Sequence, residues 1–172
     1  MYYGKYYVFR EIDARQSVAP SCSRRFDAAT SSVEAEVTGI DGVHGVVAVP
    51  VRGLVYATAT GTDEVVSIDP ATNEIIARAS TGAFPDGVAY DATDDRVLVS
   101  NKADGSITVH DPVTLRIERT IEVGEESGNV VYDPVSDLGY TATTPPGTRS
   151  PTWWRSVPCP TRRPSSTRSS PS

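Results

Sequence analysis

GVVAVPVRGLVYATATGTDEVVSIDPATNEIIARASTG (residues 45–82) is answered by GVAYDATDDRVLVSNKADGSITVHDPVTLRIERTIEVG (residues 87–124). Gly45 and Gly87, Asp69 and Asp111, Thr72 and Thr114, and Gly82 and Gly124 each lie 42 positions apart. Each unit holds four short apolar runs rich in strand-forming residues. In the first they are 46–49, 54–58, 65–68 and 74–79; in the second, 88–90, 97–101, 107–110 and 115–123. A fixed period in the forties with four short strands per unit is the sequence mark of a β-propeller blade. The expected fold is all-β: a partial β-propeller of four-stranded antiparallel blades.

The pattern runs beyond this pair in both directions. Asp27 and Thr30 stand 42 positions before Asp69 and Thr72, so FDAATSSVEAEVTG reads as the back half of an earlier blade. GNVVYDPVSDLGYTATT opens a later one, with Gly128 matched to Gly87 and Leu138 to Val97 at a spacing of 41. The repeats then occupy 23–144, as a partial blade 23–40, blades 41–82 and 83–124, and a partial blade 125–144. Residues 1–22 match no part of the repeat. After Thr144 the alternation stops, and residues 145–172 contain 7 Pro, 7 Ser, 5 Arg and 4 Thr. So few apolar groups cannot offset the entropy of ordering, and this tail is expected to be disordered. The break falls in mid-blade; a linker and a shifted reading frame both fit it.

The turns explain the recurring aspartates. Asp27, Asp69 and Asp111 open outer hairpins, and Asp91 and Asp133 open inner ones. An aspartate at the first turn position accepts a hydrogen bond from the backbone two residues on, and a following proline presets φ. These carboxylates are therefore read as structural. The glycines heading the inner strands suit a place where neighbouring backbones crowd the axis.

Composition excludes several roles. The chain has 16 basic and 22 acidic residues, but five arginines and no acid lie after Thr144, which leaves residues 1–144 strongly acidic. Binding of a phosphate backbone needs clustered Lys and Arg, so nucleic acid is not an expected partner of the folded part. No apolar run approaches the roughly 18 residues of a membrane span. The first residues lack the continuous apolar core of a secretory signal. Cys22 and Cys159 lie outside the complete repeats and read as two thiols rather than a disulfide. No nucleophile elbow and no phosphate loop occurs.

The units LVYATATGTDEVVSIDPATNEIIARASTG and VLVSNKADGSITVHDPVTLRIERTIEVG resemble the YVTN family of β-propeller repeats, the YncE-like proteins. Leu54 to Thr58 and Val97 to Asn101 fill that family's "YV.N" strand, and the blade-joining segments DGVHGV, PDGVAYD and ESGNVVYDP are similar as well. The resemblance covers about residues 23–144 and implies a repeat scaffold with about seven blades, in proteins that are often exported. It implies little about activity.

In a propeller, the segments joining one blade to the next share a face with the loops between second and third strands. The first set here is 39–44, 82–86 and 124–127; the second is 59–63, 102–105 and 144–147. Asp41, His44, Asp63, Asp86, Asp104 and Glu126 are thereby expected around one mouth. Asp41, His44, Asp86, Asn101, Lys102 and Glu126 are the candidate ligand-binding residues. Of these, His44, Asp86 and Glu126 could hold a divalent cation, with oxygen ligands favouring calcium. His44 is the sharpest candidate, because it precedes an axial glycine in the place of Asp86. His110 falls on a third strand and is read as structural.

The leading expectation is a non-catalytic scaffold that binds a ligand or protein partner through this face. A lactonase-like hydrolase using a metal at the mouth is the second reading. The third is a propeller fragment with no independent activity. Exposed blade edges predict self-association.

Overall fold

The computed structural model describes residues 22–144 in full and two further strands, Lys5–Val8 and Thr152–Pro158, as backbone. The remaining expectations for 1–21 and 145–172, Cys159 among them, lie outside the described residues. Within them the chain is all-β: four antiparallel sheets and one short 3-10 turn, Thr60–Thr62.

The first sheet holds β1 (Lys5–Val8), β2 (Ser23–Asp27) and β3 (Ser32–Val37). The second is a complete blade: β4 (Val46–Val49), β5 (Leu54–Ala59), β6 (Glu64–Asp69) and β7 (Glu74–Ser80). The third repeats it with β8 (Pro85–Asp91), β9 (Arg96–Asn101), β10 (Ser106–His110) and β11 (Ile117–Glu122). The fourth contains β12 (Glu126–Asp133), β13 (Leu138–Thr144) and β14 (Thr152–Pro158). Strand β8 lies against β4 and β5 of the blade before it, and β12 against β8 and β9. Successive sheets are thus stacked through their inner strands, as a partial β-propeller.

Side chains alternate between the two faces of each sheet, and the core is the set of layers between sheets. Val37, Ile40 and Val43 meet Val55, Ala57, Val66 and Ile68 in the first layer. Tyr56, Val65 and Val49 meet Val88, Val97, Val99 and Leu115 in the second. Ala89, Leu98, Ile107 and Val109 meet Val130 in the third. Polar contacts stitch the same layers. The buried Tyr56 hydroxyl donates to Pro112 O at 2.8 Å, and Arg25 Nη1 donates to Pro70 O at 2.6 Å. Both outer Asp-Pro turns, 69–70 and 111–112, therefore receive a hydrogen bond from the preceding blade.

The turn aspartates behave as their positions demanded. Backbone N–H groups two residues on bond Asp27, Asp69 and Asp111 at 2.7, 2.7 and 3.0 Å, and Asp91 and Asp133 at 2.9 and 3.0 Å. The turns close in the left-handed region at Ser31, Asn73 and Leu115 on the outer side, and at Gly53, Asp95 and Asp137 on the inner side. Both series keep the 42-residue spacing.

Two expectations change. Pairing of Val88 with Val99 and of Val130 with Thr141 keeps the spacing at 42 in the last sheet, so Asn129 rather than Gly128 takes the place of Gly87, and Leu138 that of Arg96. The bulge between Ser127 and Val130 repeats the one between Pro85 and Val88, so the register of the two inner strands is the same and Gly128 lies one position ahead of the place of Gly87. Leu115 does not begin a fourth strand; it is the fully buried left-handed turn residue, and β11 starts at Ile117. Outside the repeats, Lys5–Val8 pairs with β2 and Thr152–Pro158 with β13. Both contain strand-forming Tyr, Trp, Val or Thr, and each meets a sheet edge with unpaired backbone groups.

The axial glycines sit where crowding requires them. A Cβ on Gly45 would lie 2.7 Å from Asp86 O and 2.9 Å from Gly87 Cα, and one on Gly87 would lie 2.7 Å from Val130 N. A side chain at either position would push two inner strands apart.

Candidate functional site

The segment 82–86 carries the chain from the second sheet to the third, and side chains from both sheets fix it. Asn101 Oδ1 accepts from Gly82 N at 3.0 Å, Asp104 Oδ2 from Ala83 N at 2.6 Å, and Asp63 Oδ1 from Phe84 N at 2.8 Å. Lys102 N and Ala103 N donate in return to Phe84 O and Ala83 O, at 2.8 and 3.2 Å. The Thr60 hydroxyl donates to Pro85 O. An otherwise free connection is thereby a rigid rim.

This bonding separates the sequence candidates. His44 and Asp86 are brought together: Nδ1 stands 3.2 Å from Asp86 Oδ1, and both side chains are partly exposed. They bridge the joining segments of successive blades. Asp63 and Asp104 each spend an oxygen on the rim backbone. Asp41 is exposed, and its carbonyl accepts from Gly61 N at 3.0 Å. Asn101 does not present its amide to a channel. It is fully buried, with Nδ2 donating to Ser106 Oγ and Thr108 Oγ1 at 3.1 and 3.2 Å. Glu126 Oε2 accepts from Thr144 Oγ1 at 3.3 Å. Among the described residues no three His, Cys, Asp or Glu side chains are grouped to hold a metal ion, so the expected trio of His44, Asp86 and Glu126 does not assemble.

His110 is structural. It is fully buried, with Nδ1 at 2.7 Å from Leu115 O and Nε2 at 2.9 Å from Thr108 Oγ1. A carbonyl can only accept, so Nδ1 carries the proton and the threonine hydroxyl donates to Nε2. Burial holds the ring below its ordinary pKa of 6.5, against a smaller opposing effect of the Leu115 carbonyl. On the opposite end of the blade interface, Arg52 forms a two-pronged pair with Asp95, with Nε donating at 2.7 Å. That guanidinium holds the Asp95 carboxyl below the usual range.

Phe84 was absent from the sequence candidates. Its φ is +55°, in the left-handed region, and 41% of it is exposed. Its ring meets the His44 ring edge-on at 5.4 Å, and Lys102 Nζ stands 5.7 Å from its centroid. Lys102 is exposed and makes no ion pair among the described residues. The left-handed conformation costs an L residue roughly 1–2 kcal/mol. Forty-two positions earlier the same conformation is taken by Gly42, at φ +63°. That replacement of glycine by phenylalanine was the signal available in the sequence.

No family model and no curated protein matches the sequence. Among solved structures the chain is similar to one titled Kuenenia stuttgartiensis hydrazine synthase, with a TM-score of 0.71 and 17% identity over 80% of this chain. It is similar too to a chain of a mitotic checkpoint complex, with a TM-score of 0.64 and 14% identity over 71% of this chain. In both cases the match spans 40% of the other chain. At these identities the likeness is one of fold.

Proposed function

We propose that the chain is part of a β-propeller scaffold that binds a protein partner through the face carrying residues 82–86, without catalysis. The observation that carries this reading is the way that segment is held: three side-chain acceptors and the Thr60 hydroxyl, drawn from two blades, fix a surface-exposed connection. Loops held rigid on a scaffold are where binding residues concentrate, and a prepaid geometry lowers the ordering cost of association. One similar structure is, by its title, a complex. The YVTN-type repeat assignment is supported by the two complete units and by their joining segments. The hydrolase reading has no grouped ligand set among the described residues to draw on.

Panning a random-peptide display library against the whole chain tests the proposal. Selected peptides should bind the His44→Ala, Asp86→Ala and Asp41→Ala variants with altered affinity and the Arg119→Ala and Glu122→Ala variants on the outermost strand with unchanged affinity. Peptides that map to the outer strands, or none at all, would refute it.

A further inference from the structure

We propose that Phe84 is the anchor of this face, and that its partner segment presents an apolar side chain next to a carboxylate. The inference rests on the rim being the binding face and names the chemistry recognised there.

Three observations converge on Phe84. The first is the conformation. Two of the three joining segments share a left-handed position, filled by glycine at 42 and by phenylalanine at 84; Glu126, at the equivalent place in the third, does not adopt it. Glycine takes that conformation without steric penalty, so the aromatic side chain is not needed for the turn. A bulky residue persists in such a region only where its surroundings over-determine it, and such residues cluster at ligand-contacting sites. Here the surroundings do so: the Phe84 N–H is held by Asp63 and its carbonyl by Lys102 N.

The second observation is what the strained backbone achieves. It does not bury the ring. Phe84 remains 41% exposed, whereas the corresponding layers of the core are filled by Val49, Val88, Val97 and Val99 without it. An exposed aromatic on a fixed backbone loses little entropy on binding, which is the property of a hot-spot residue.

The third is charge. Lys102 lies beside the ring with no carboxylate partner among the described residues, although 22 acidic residues occur in the chain. Arg24, Arg25, Arg52, Arg78 and Arg96 each have one, while Arg116 and the outer-strand Arg119, like Lys102, have none among the described residues. An ammonium left unpaired next to an exposed ring fits a ligand that offers both an apolar surface and a negative charge. A cationic ligand would have to displace Lys102 from the ring, so the favoured partner motif is an apolar residue adjoining Asp or Glu.

The peptides selected against the whole chain decide the matter. They should be enriched in an apolar–acidic pair. Phe84→Gly should weaken their binding at least tenfold while the melting temperature stays equal to or above that of the parent, because glycine relieves the left-handed strain. Lys102→Glu should weaken acidic peptides tenfold or more and be rescued by peptides in which the acid is replaced by lysine. Rim-bound peptides indifferent to both substitutions would overturn this inference and leave the binding face standing. A loss of folding in Phe84→Gly would also overturn it, since the residue would then be structural. Peptides insensitive to His44→Ala, Asp86→Ala and Asp41→Ala would instead remove the binding face itself, and the anchor with it.

Discussion

The layer between the second and third sheets and the outward face of the last sheet are built from equivalent positions, yet only one is covered. Tyr56 is fully buried and bonded to Pro112 across the layer, while Tyr140, 84 positions on, is half-exposed and its hydroxyl reaches only Ser136 at 3.4 Å. Ala89 is 6% exposed against the last sheet; Val131, its counterpart, is 43% exposed. The difference teaches that a blade of this repeat is stabilised by its successor. Its own sheet is complete without making it a stable body.

Substitutions can break the covered layer or cover the open one. Tyr56→Ala should have the largest effect, destabilising the chain by about 3–5 kcal/mol in denaturant titration, as truncation of a buried aromatic does. The second effect is on pH. Burial depresses the pKa of His110 in the folded state. Unfolding therefore takes up a proton, and stability is full above the unfolded value near 6.5. It declines as the pH falls from there toward the folded pKa. His110→Asn should remove that part of the slope, and an unchanged slope would place its origin elsewhere. Tyr56→Phe should cost about 1 kcal/mol, the net worth of a single hydrogen bond; the Tyr56 pKa, pushed up to about 12 by burial, should be absent from the alkaline titration of that variant. The smallest effect on stability, within about 0.5 kcal/mol, belongs to Val131→Lys at an exposed site. That variant should nevertheless reduce the concentration-dependent association expected of an open sheet, followed by sedimentation. An unaltered association would mean that the outward face is not the adhesive one.

Much of this was legible in the sequence because a repeat states its constraints more than once. Asp69 and Asp111 recur at turn positions, so their hydrogen-bonding role could be separated from chemistry. Gly45 and Gly87 recur where a Cβ has no room. What repeats cannot announce is a deviation. With Asn129 in the place of Gly87 and a glycine just before it at 128, matching glycine to glycine made the spacing look like 41, although the pairing keeps it at 42. Leu115 looked like the first residue of a strand because an apolar residue in a left-handed turn has no compositional mark. At the rim, alignment brought His44 and Asp86 together correctly, but it could not tell that Asn101 turns inward to Ser106 and Thr108. Phe84 carries no titratable group, and its distinguishing property is a backbone angle.

The shared left-handed position at 42 and 84 has a consequence for how such a scaffold changes its preferences. Two blades offer the same socket, one vacant and one fitted, and each accepts a new side chain without rewiring the strands behind it. On the proposed reading, a single codon there would exchange recognition for robustness, and variation in what is bound would proceed one blade at a time.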